Sequence, residues 1–256
     1  MLNRKYLILL LAVAAMIFLA GCSMTEPISS ESTGIWNHYF VYPLSFVLVT
    51  VAHWIGDYGL SIIIVTVMIR LILLPLILKQ QKSMLALQVI QPEMMKIQEK
   101  YKDKKDQQSQ QKMQQEMMGL YQEHKVNPLG GCLPIFIQMP IILAFYHAIG
   151  RTTEIAEHSF LWFSLGQPDP MFILPVVAAI TTYLQTKISM TTSNQVPPPM
   201  KLMMNIIPIV ILIAGITLPA ALALYWVIGN LFGIAQGIYL KKRMEKLKMN
   251  AETASV

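Results

Sequence analysis

The sequence predicts an all-α membrane protein with five transmembrane helices, a cytoplasmic helical hairpin and an amphipathic helix on the outer interface. Three observations carry this reading. The 256 residues are 54% hydrophobic and only 13% charged, with a mean hydropathy of +0.49. Five apolar runs approach the length of about 20 residues that crosses a bilayer. Lysine and arginine collect in segments that one orientation places on a single side. Such a composition excludes a second soluble domain of any size.

Residues 1–21 have a basic start at Arg4 and Lys5, an apolar core, and then Leu19-Ala20-Gly21-Cys22. That order predicts an export signal peptide. Its last four residues resemble a bacterial lipobox, which implies that Cys22 is acylated, palmitate included, and becomes the mature N-terminus. Residues 22–34 are small and polar and form a flexible extracellular tether. Cys132 stands alone in an apolar segment, so no disulfide framework is implied.

Residues 35–57 are apolar with aromatic ends. They are read as an interfacial helix, with Trp36, Tyr39, Tyr42 and Trp54 at headgroup level. The link to the next run, Asp57 to Gly59, is too short to join two spans in most hairpins. The first span is 58–81. Residues 82–127 are rich in Lys, Gln and Met. Leu87, Ile90, Met94, Ile97 and Tyr101 form one apolar seam, and Met113, Met117, Leu120 and His124 a second, which predicts an antiparallel cytoplasmic hairpin. Residues 128–240 hold the other four spans, at about 131–150, 170–190, 202–218 and 219–240 by the same length criterion. Residues 241–256 form a basic cytoplasmic tail. Gly229, Gly233 and Gly237 make a small-xxx-small row, read as a close helix contact.

Orientation follows from the cations. No Lys or Arg lies between Cys22 and Arg70, whereas the segment after the first span holds nine lysines counted from Lys79. The outer loop at 151–169 has only Arg151, beside Glu154, Glu157 and Asp169. Five spans, with a lipid-anchored N-terminus outside and the C-terminus in the cytoplasm of a plasma-membrane protein, satisfy each loop.

Arg70 lies inside the first span, about 13 Å from Lys79 and about 18 Å from Tyr58 along the helix. A cation at such depth costs at least about 2.5–3.5 kcal/mol, so something must compensate it. No Asp or Glu occurs within an apolar run. The polar residues of the spans cluster in their cytoplasmic halves: Thr66 one turn before Arg70, Gln138, Thr182, Gln185, Thr186, Ser189, Asn230 and Gln236, with Asn205 near the inner start of the fourth span. A water-filled cavity open to the cytoplasm and closed outside accounts for this asymmetry. Asn205 and Gln236 are read as structural amides that bond neighbouring helices. The alternative for Arg70 is a snorkelling side chain that bonds helix carbonyls.

Other function classes fit less well. A small-molecule carrier needs intramembrane acids and often an inverted repeat, and neither is visible. An intramembrane enzyme lacks a nucleophile beside His38, His53 or His147, and no phosphate-binding glycine loop is present, so no enzyme activity and no cofactor are expected. A non-translocating assembly factor stays open.

The chain resembles the YidC family of membrane-protein insertases, in its short lipoprotein form without the large extracytoplasmic domain. The resemblance rests on VTVMIRLILLPL, the Lys/Gln/Met hairpin after it, NPLGGCLPIFIQMPIILAFYHAI, and PAALALYWVIGN in the last span. It implies a groove that takes in nascent membrane proteins and releases their apolar helices sideways into lipid. Arg70 then matches the family's functional arginine. Thr66, Tyr225 and Trp226 align near the substrate path, and Gln185 falls at a wall position. Membrane lipids surround the groove, the Sec translocon and the ribosome are candidate partners, and no direct nucleic-acid role is implied.

Overall fold

A computed structural model describes residues 26–104, 106–127, 133–190 and 198–254. The signal peptide, Cys22 and Cys132 lie outside these residues. The described chain is mostly helical: a π-helical turn at Asn37–Val41, then α1 (Tyr42–Ile55), α2 (Tyr58–Val89), α3 (Gln91–Lys100), α4 (Gln107–Glu123), α5 (Leu133–Arg151), α6 (Thr153–Ala156), α7 (Ile173–Met190), α8 (Pro198–Thr217) and α9 (Ala220–Ala254). A two-stranded antiparallel sheet, β1 (Ser159–Phe160) and β2 (Phe163–Ser164), interrupts them. Three described stretches are long and apolar enough to cross a membrane: Asn37–Ile55, Tyr58–Gln80 and Ala220–Lys242, with mean hydropathies of 1.3, 2.7 and 1.5. The first is the segment read from sequence as interfacial. Its length and hydropathy alone also permit a crossing.

The described residues fall into two compact units, one within Met1–Thr66, Met139–Val176 and Ile213–Trp226, the other within Val67–Gln138, Val177–Leu212 and Val227–Val256. The same long helices contribute a segment to each.

The first unit holds most of the fully buried apolar side chains, among them Leu48, Ile62, Phe145, Ile149, Phe163, Leu165, Leu222 and Tyr225. Its turns are built from short-range chemistry. Gly56, at φ +84°, ends α1 in the left-handed conformation that a Cβ disfavours, and its N–H returns to the Ala52 carbonyl at 2.7 Å. Asp57 follows at once and accepts the Leu60 N–H at 2.7 Å, which caps α2. Buried Ser61 donates to the Leu48 carbonyl at 2.6 Å and so ties α2 back to α1. Gly59 leaves room for the Phe160 ring, which a side chain there would strike.

The loop after α5 is ordered by polar contacts that composition did not reveal. Arg151, buried, donates to the Glu26 carbonyl and to Asn37 Oδ1, both at 2.8 Å, while Ile28 N–H pairs with the Arg151 carbonyl at 3.0 Å. Arg151 thus clamps the segment that precedes the π-helical turn. Asp169 is fully buried: Oδ1 accepts Trp162 Nε1 and the Met171 N–H, both at 3.0 Å, and Oδ2 accepts the Leu174 N–H at 2.8 Å. It satisfies a first-turn donor of α7. The first donors of α9 are met by the same loop, Ala220 N–H by Gln167 O and Ala221 N–H by Leu165 O.

In the second unit α2 does not stop at residue 81 but runs to Val89. Its 32 residues span about 48 Å, well beyond a hydrocarbon layer of about 30 Å. Pro92 at the start of α3 fits a first turn, where its missing N–H costs nothing. Asp106 caps α4 by accepting the Ser109 N–H at 2.8 Å, a bond that lowers its own pKa. α3 and α4 pack antiparallel, since Lys100 and Tyr101 reach Glu116 at 2.6 and 2.8 Å while Glu93 faces His124 at 3.4 Å. Tyr101, Leu120 and Ile90 of the two apolar seams are the buried ones. The Lys100 and Tyr101 hydrogen bonds hold the Glu116 carboxyl below its ordinary pKa of 4.5. Its contribution to this pairing is therefore present above that pH and fades as acid protonates it. At the other end of the chain α9 continues through the basic tail to Ala254, 35 residues in all.

Candidate functional site

Arg70 is carried on α2 in the second unit and is half-buried. Among the described residues none forms an ion pair with it and none accepts a hydrogen bond from it. What holds the guanidinium is steric. A Cβ built on Gly229 of α9 would lie 2.5 Å from Nη2 and 3.3 Å from both Cζ and Nε. The planar head therefore rests against the bare backbone of Gly229. One turn on, the Gln185 side chain from α7 sits on Gly233 in the same way: a Cβ there would meet its amide nitrogen, and would lie 2.9 Å from Cδ. A further turn on, a Cβ built on Gly237 would lie 2.9 Å from Ile188 Cγ2. Four residues of helix rise about 6 Å, so the two polar heads occupy adjacent seats on one face of α9.

The glycine row is a close helix contact, as its spacing suggests, and at two of its three positions the packed group is a polar side chain among those predicted to line the cavity. A spacing of four in one helix announces a narrow face. It does not say which side chain fills it.

The other predicted residues are placed as follows. Asn230, also on α9, is buried, and its Nδ2 points to Thr182 Oγ1 at 2.8 Å, Thr181 Oγ1 at 3.1 Å and the Ala178 carbonyl at 3.3 Å. Its amide nitrogen is consumed in tying α9 to α7. Thr182 and Thr186 return their own hydroxyl protons to the carbonyls of Ala178 and Thr182, at 2.7 and 2.8 Å. Gln138 is half-buried on α5. Asn205, read as a helix-bonding amide, is exposed and has no hydrogen bond among the described residues.

Thr66, Tyr225 and Trp226 belong to the first unit. Thr66 is fully buried and donates to the Ile62 carbonyl of its own helix at 2.6 Å. Tyr225 is buried with its ring centroid 4.5 Å from that of Phe145, and Trp226 is half-buried. Cys22 lies outside the described residues. One residue went unnoticed in sequence: Gln80 at the C-terminal end of the first apolar run, whose buried Nε2 finds no acceptor among the described residues. A glutamine flanked by Lys79 and Gln81 looks like ordinary solvated sequence, so only the fold reveals the burial.

Chemically, the second unit presents a cation that has no counter-ion among the described residues, beside neutral amides and hydroxyls. No group of three or more His, Cys, Asp or Glu suited to a metal occurs among the described residues. The arrangement suits transient binding of an anionic or polar peptide group.

A family model described as 60Kd inner membrane protein matches residues 50–248. Membrane protein insertase YidC 2 of Bacillus anthracis is 57% identical over 245 residues, 95% of each chain. Membrane protein insertase YidC of Alkalihalophilus pseudofirmus is 54% identical over 252 residues, 96% of this chain and 98% of that one. Membrane protein insertase MisCA of Bacillus subtilis is 54% identical over 243 residues, 94% and 93% of the two chains. A crystal structure of an active YidC insertase with its first transmembrane domain resolved is similar with a TM-score of 0.64 and 27% identity over 81% of this chain. This chain spans 47% of that longer one. With the family model covering most of its length and relatives matched nearly end to end, the chain belongs to the 60Kd inner membrane protein family, that of the YidC membrane protein insertases.

Proposed function

We propose that this protein is a membrane-protein insertase that works by offering a hydrated cation part way across the bilayer. The observation that carries the reading is Arg70: a mid-span guanidinium with no acidic partner among the described residues. A mid-span arginine with neither counter-ion nor acceptor is too costly to retain without use. Water entering from the cytoplasm hydrates it, and Gln138 and Gln185 line the same groove. A nascent protein's short acidic tail is drawn to Arg70, which brings the tail half way across. The outside-positive membrane potential then favours its exit by about 2.3 kcal/mol per charge per 100 mV. Burial of the substrate's apolar helix in lipid supplies the remainder.

In this reading the protein crosses the plasma membrane five times, with an acylated Cys22 outside and the α9 tail in the cytoplasm. The region 35–57 lies on the outer interface, and the α3–α4 pair projects into the cytoplasm. No covalent chemistry, nucleotide or cofactor takes part. Relatives bear the name insertase, and the ribosome and Sec translocon are the partners such a substrate path suggests.

The test is reconstitution. Purified protein alone in liposomes, with an imposed potential, is expected to insert a single-span substrate with a short acidic outer tail, scored by protease protection. Liposomes that insert no more substrate than empty ones would contradict the reading.

A further inference from the structure

We infer that Gly229 is a positioning residue for the insertion step, and that its missing side chain is what allows Arg70 to present its guanidinium. The inference rests on the insertase reading above and goes beyond it, since it assigns the orientation of the cation to a residue on a different helix.

The geometry is specific. Arg70 has no hydrogen-bonding or ionic partner among the described residues to hold it. Its long side chain would otherwise sample many rotamers, at an entropic cost each time a substrate is bound. Yet Nη2, Cζ and Nε all lie close to where a Gly229 Cβ would stand. A flat guanidinium laid against bare helix backbone has lost much of that freedom before a substrate arrives, so less must be lost on binding. Gly233 does the same for Gln185 one turn on. The contacted glycine atoms carry no charge, so the seat fixes the cation without neutralising it. An acidic residue there would fix it equally well and remove its use.

A methyl group at Gly229 must displace the guanidinium, because backbone cannot retreat and the far end of Arg70 can. The slim ammonium of a lysine has no planar head to accommodate, so Arg70→Lys should not need the seat.

The experiment compares insertion into proteoliposomes of two otherwise identical single-span substrates, one with an acidic and one with a neutral outer tail. Gly229→Ala is expected to slow the acidic-tailed substrate about fourfold relative to the neutral one. In the Arg70→Lys background the same substitution should change that ratio less than about twofold, because coupling disappears when the coupled group is gone. Gly237→Ala, which meets only an aliphatic branch, serves as the packing control and should leave the ratio unchanged. Equal slowing of both substrates by Gly229→Ala, no slowing of either, or an undiminished effect in the Arg70→Lys background would overturn the inference. Should Gly229→Ala fail to accumulate in membranes, Arg70→Ala is expected to restore accumulation by vacating the seat, and failure to do so would overturn it as well. The Arg70→Glu result below separates the two levels: if charge reversal is harmless the insertase mechanism falls, whereas a harmful reversal with a silent Gly229→Ala removes only the seat.

Discussion

Arg70→Glu is expected to reduce insertion of acidic-tailed single-span substrates by at least about tenfold, while Arg70→Lys stays within a few-fold of the unsubstituted protein. Two unit charges about 4 Å apart interact by about 1 kcal/mol in bulk water and by about 4 kcal/mol at a partly desolvated site. Reversal turns that attraction into a repulsion of similar size, and each 1.4 kcal/mol is about a factor of ten. Lysine keeps the charge and loses only the planar fork, which a single approaching carboxylate does not require. The effect should shrink for neutral tails and invert for basic ones. The check is protease protection in proteoliposomes at fixed potential, with all tails compared in one preparation. Because none of the described residues pairs with Arg70, Arg70→Glu leaves no orphaned acid behind. A loss of function is then not explained by a broken ion pair among the described residues.

Asp169→Ala is expected to be the most damaging substitution outside the polar face of α9, acting on stability rather than on substrate choice. The carboxylate is fully buried and accepts from Trp162 Nε1, from Met171 N–H and from Leu174 N–H. Alanine leaves these donors without an acceptor at the head of α7. Loss of the cap costs about 1 kcal/mol, and a buried donor left unsatisfied adds about 1–3 kcal/mol. Trp162 and Met171 are partly exposed and can turn to water, so about 2–4 kcal/mol is the expected sum. Thermal unfolding of the detergent-purified protein should show a midpoint several degrees lower. Asp169→Asn, which retains one acceptor oxygen, should fall between. The ratio of acidic-tailed to neutral-tailed insertion should not move, which distinguishes this from Arg70→Glu and Gly229→Ala. An unshifted midpoint for Asp169→Ala would mean that the loop does not depend on this cap.

The helices were legible because their signal is collective: a run such as Tyr58–Gln80, with mean hydropathy 2.7, leaves little else for the chain to do. Boundaries were less legible where helix continues into polar sequence. α2 passes residue 81 and α9 passes 240, since Lys, Gln and Met are good helix formers that carry a helix out of an apolar run with no cap to stop it. The loop from Thr152 to Phe172 was opaque for a different reason. Its strands are two residues each, and its turns rest on left-handed Leu161 and Phe172 rather than on glycine. Neither leaves a periodicity to read. Asp169 and Arg151 were visible only as charges, and both turn out to be buried scaffold. At the site, Arg70 stood out from depth alone, and Gln185 from its helical neighbours. Asn230 had the same sequence signature, yet its nitrogen bonds Thr181 and Thr182. Depth and polarity indicate which residues share a layer of the membrane. Which of them is left with an open valence is decided by the helix opposite.

The proposed mechanism requires residue 70 to be wet from the cytoplasm and closed to the exterior. The most direct measurement places a cysteine there, Arg70→Cys, in a chain whose two native cysteines, Cys22 and Cys132, have been replaced, and exposes oriented vesicles to a membrane-impermeant thiol reagent from one side at a time. Labelling from the cytoplasmic face and none from the outer face is the result expected. A thiol that reacts from neither side, as in a dry helix contact, or from both, as in a continuous pore, would rule this mechanism out.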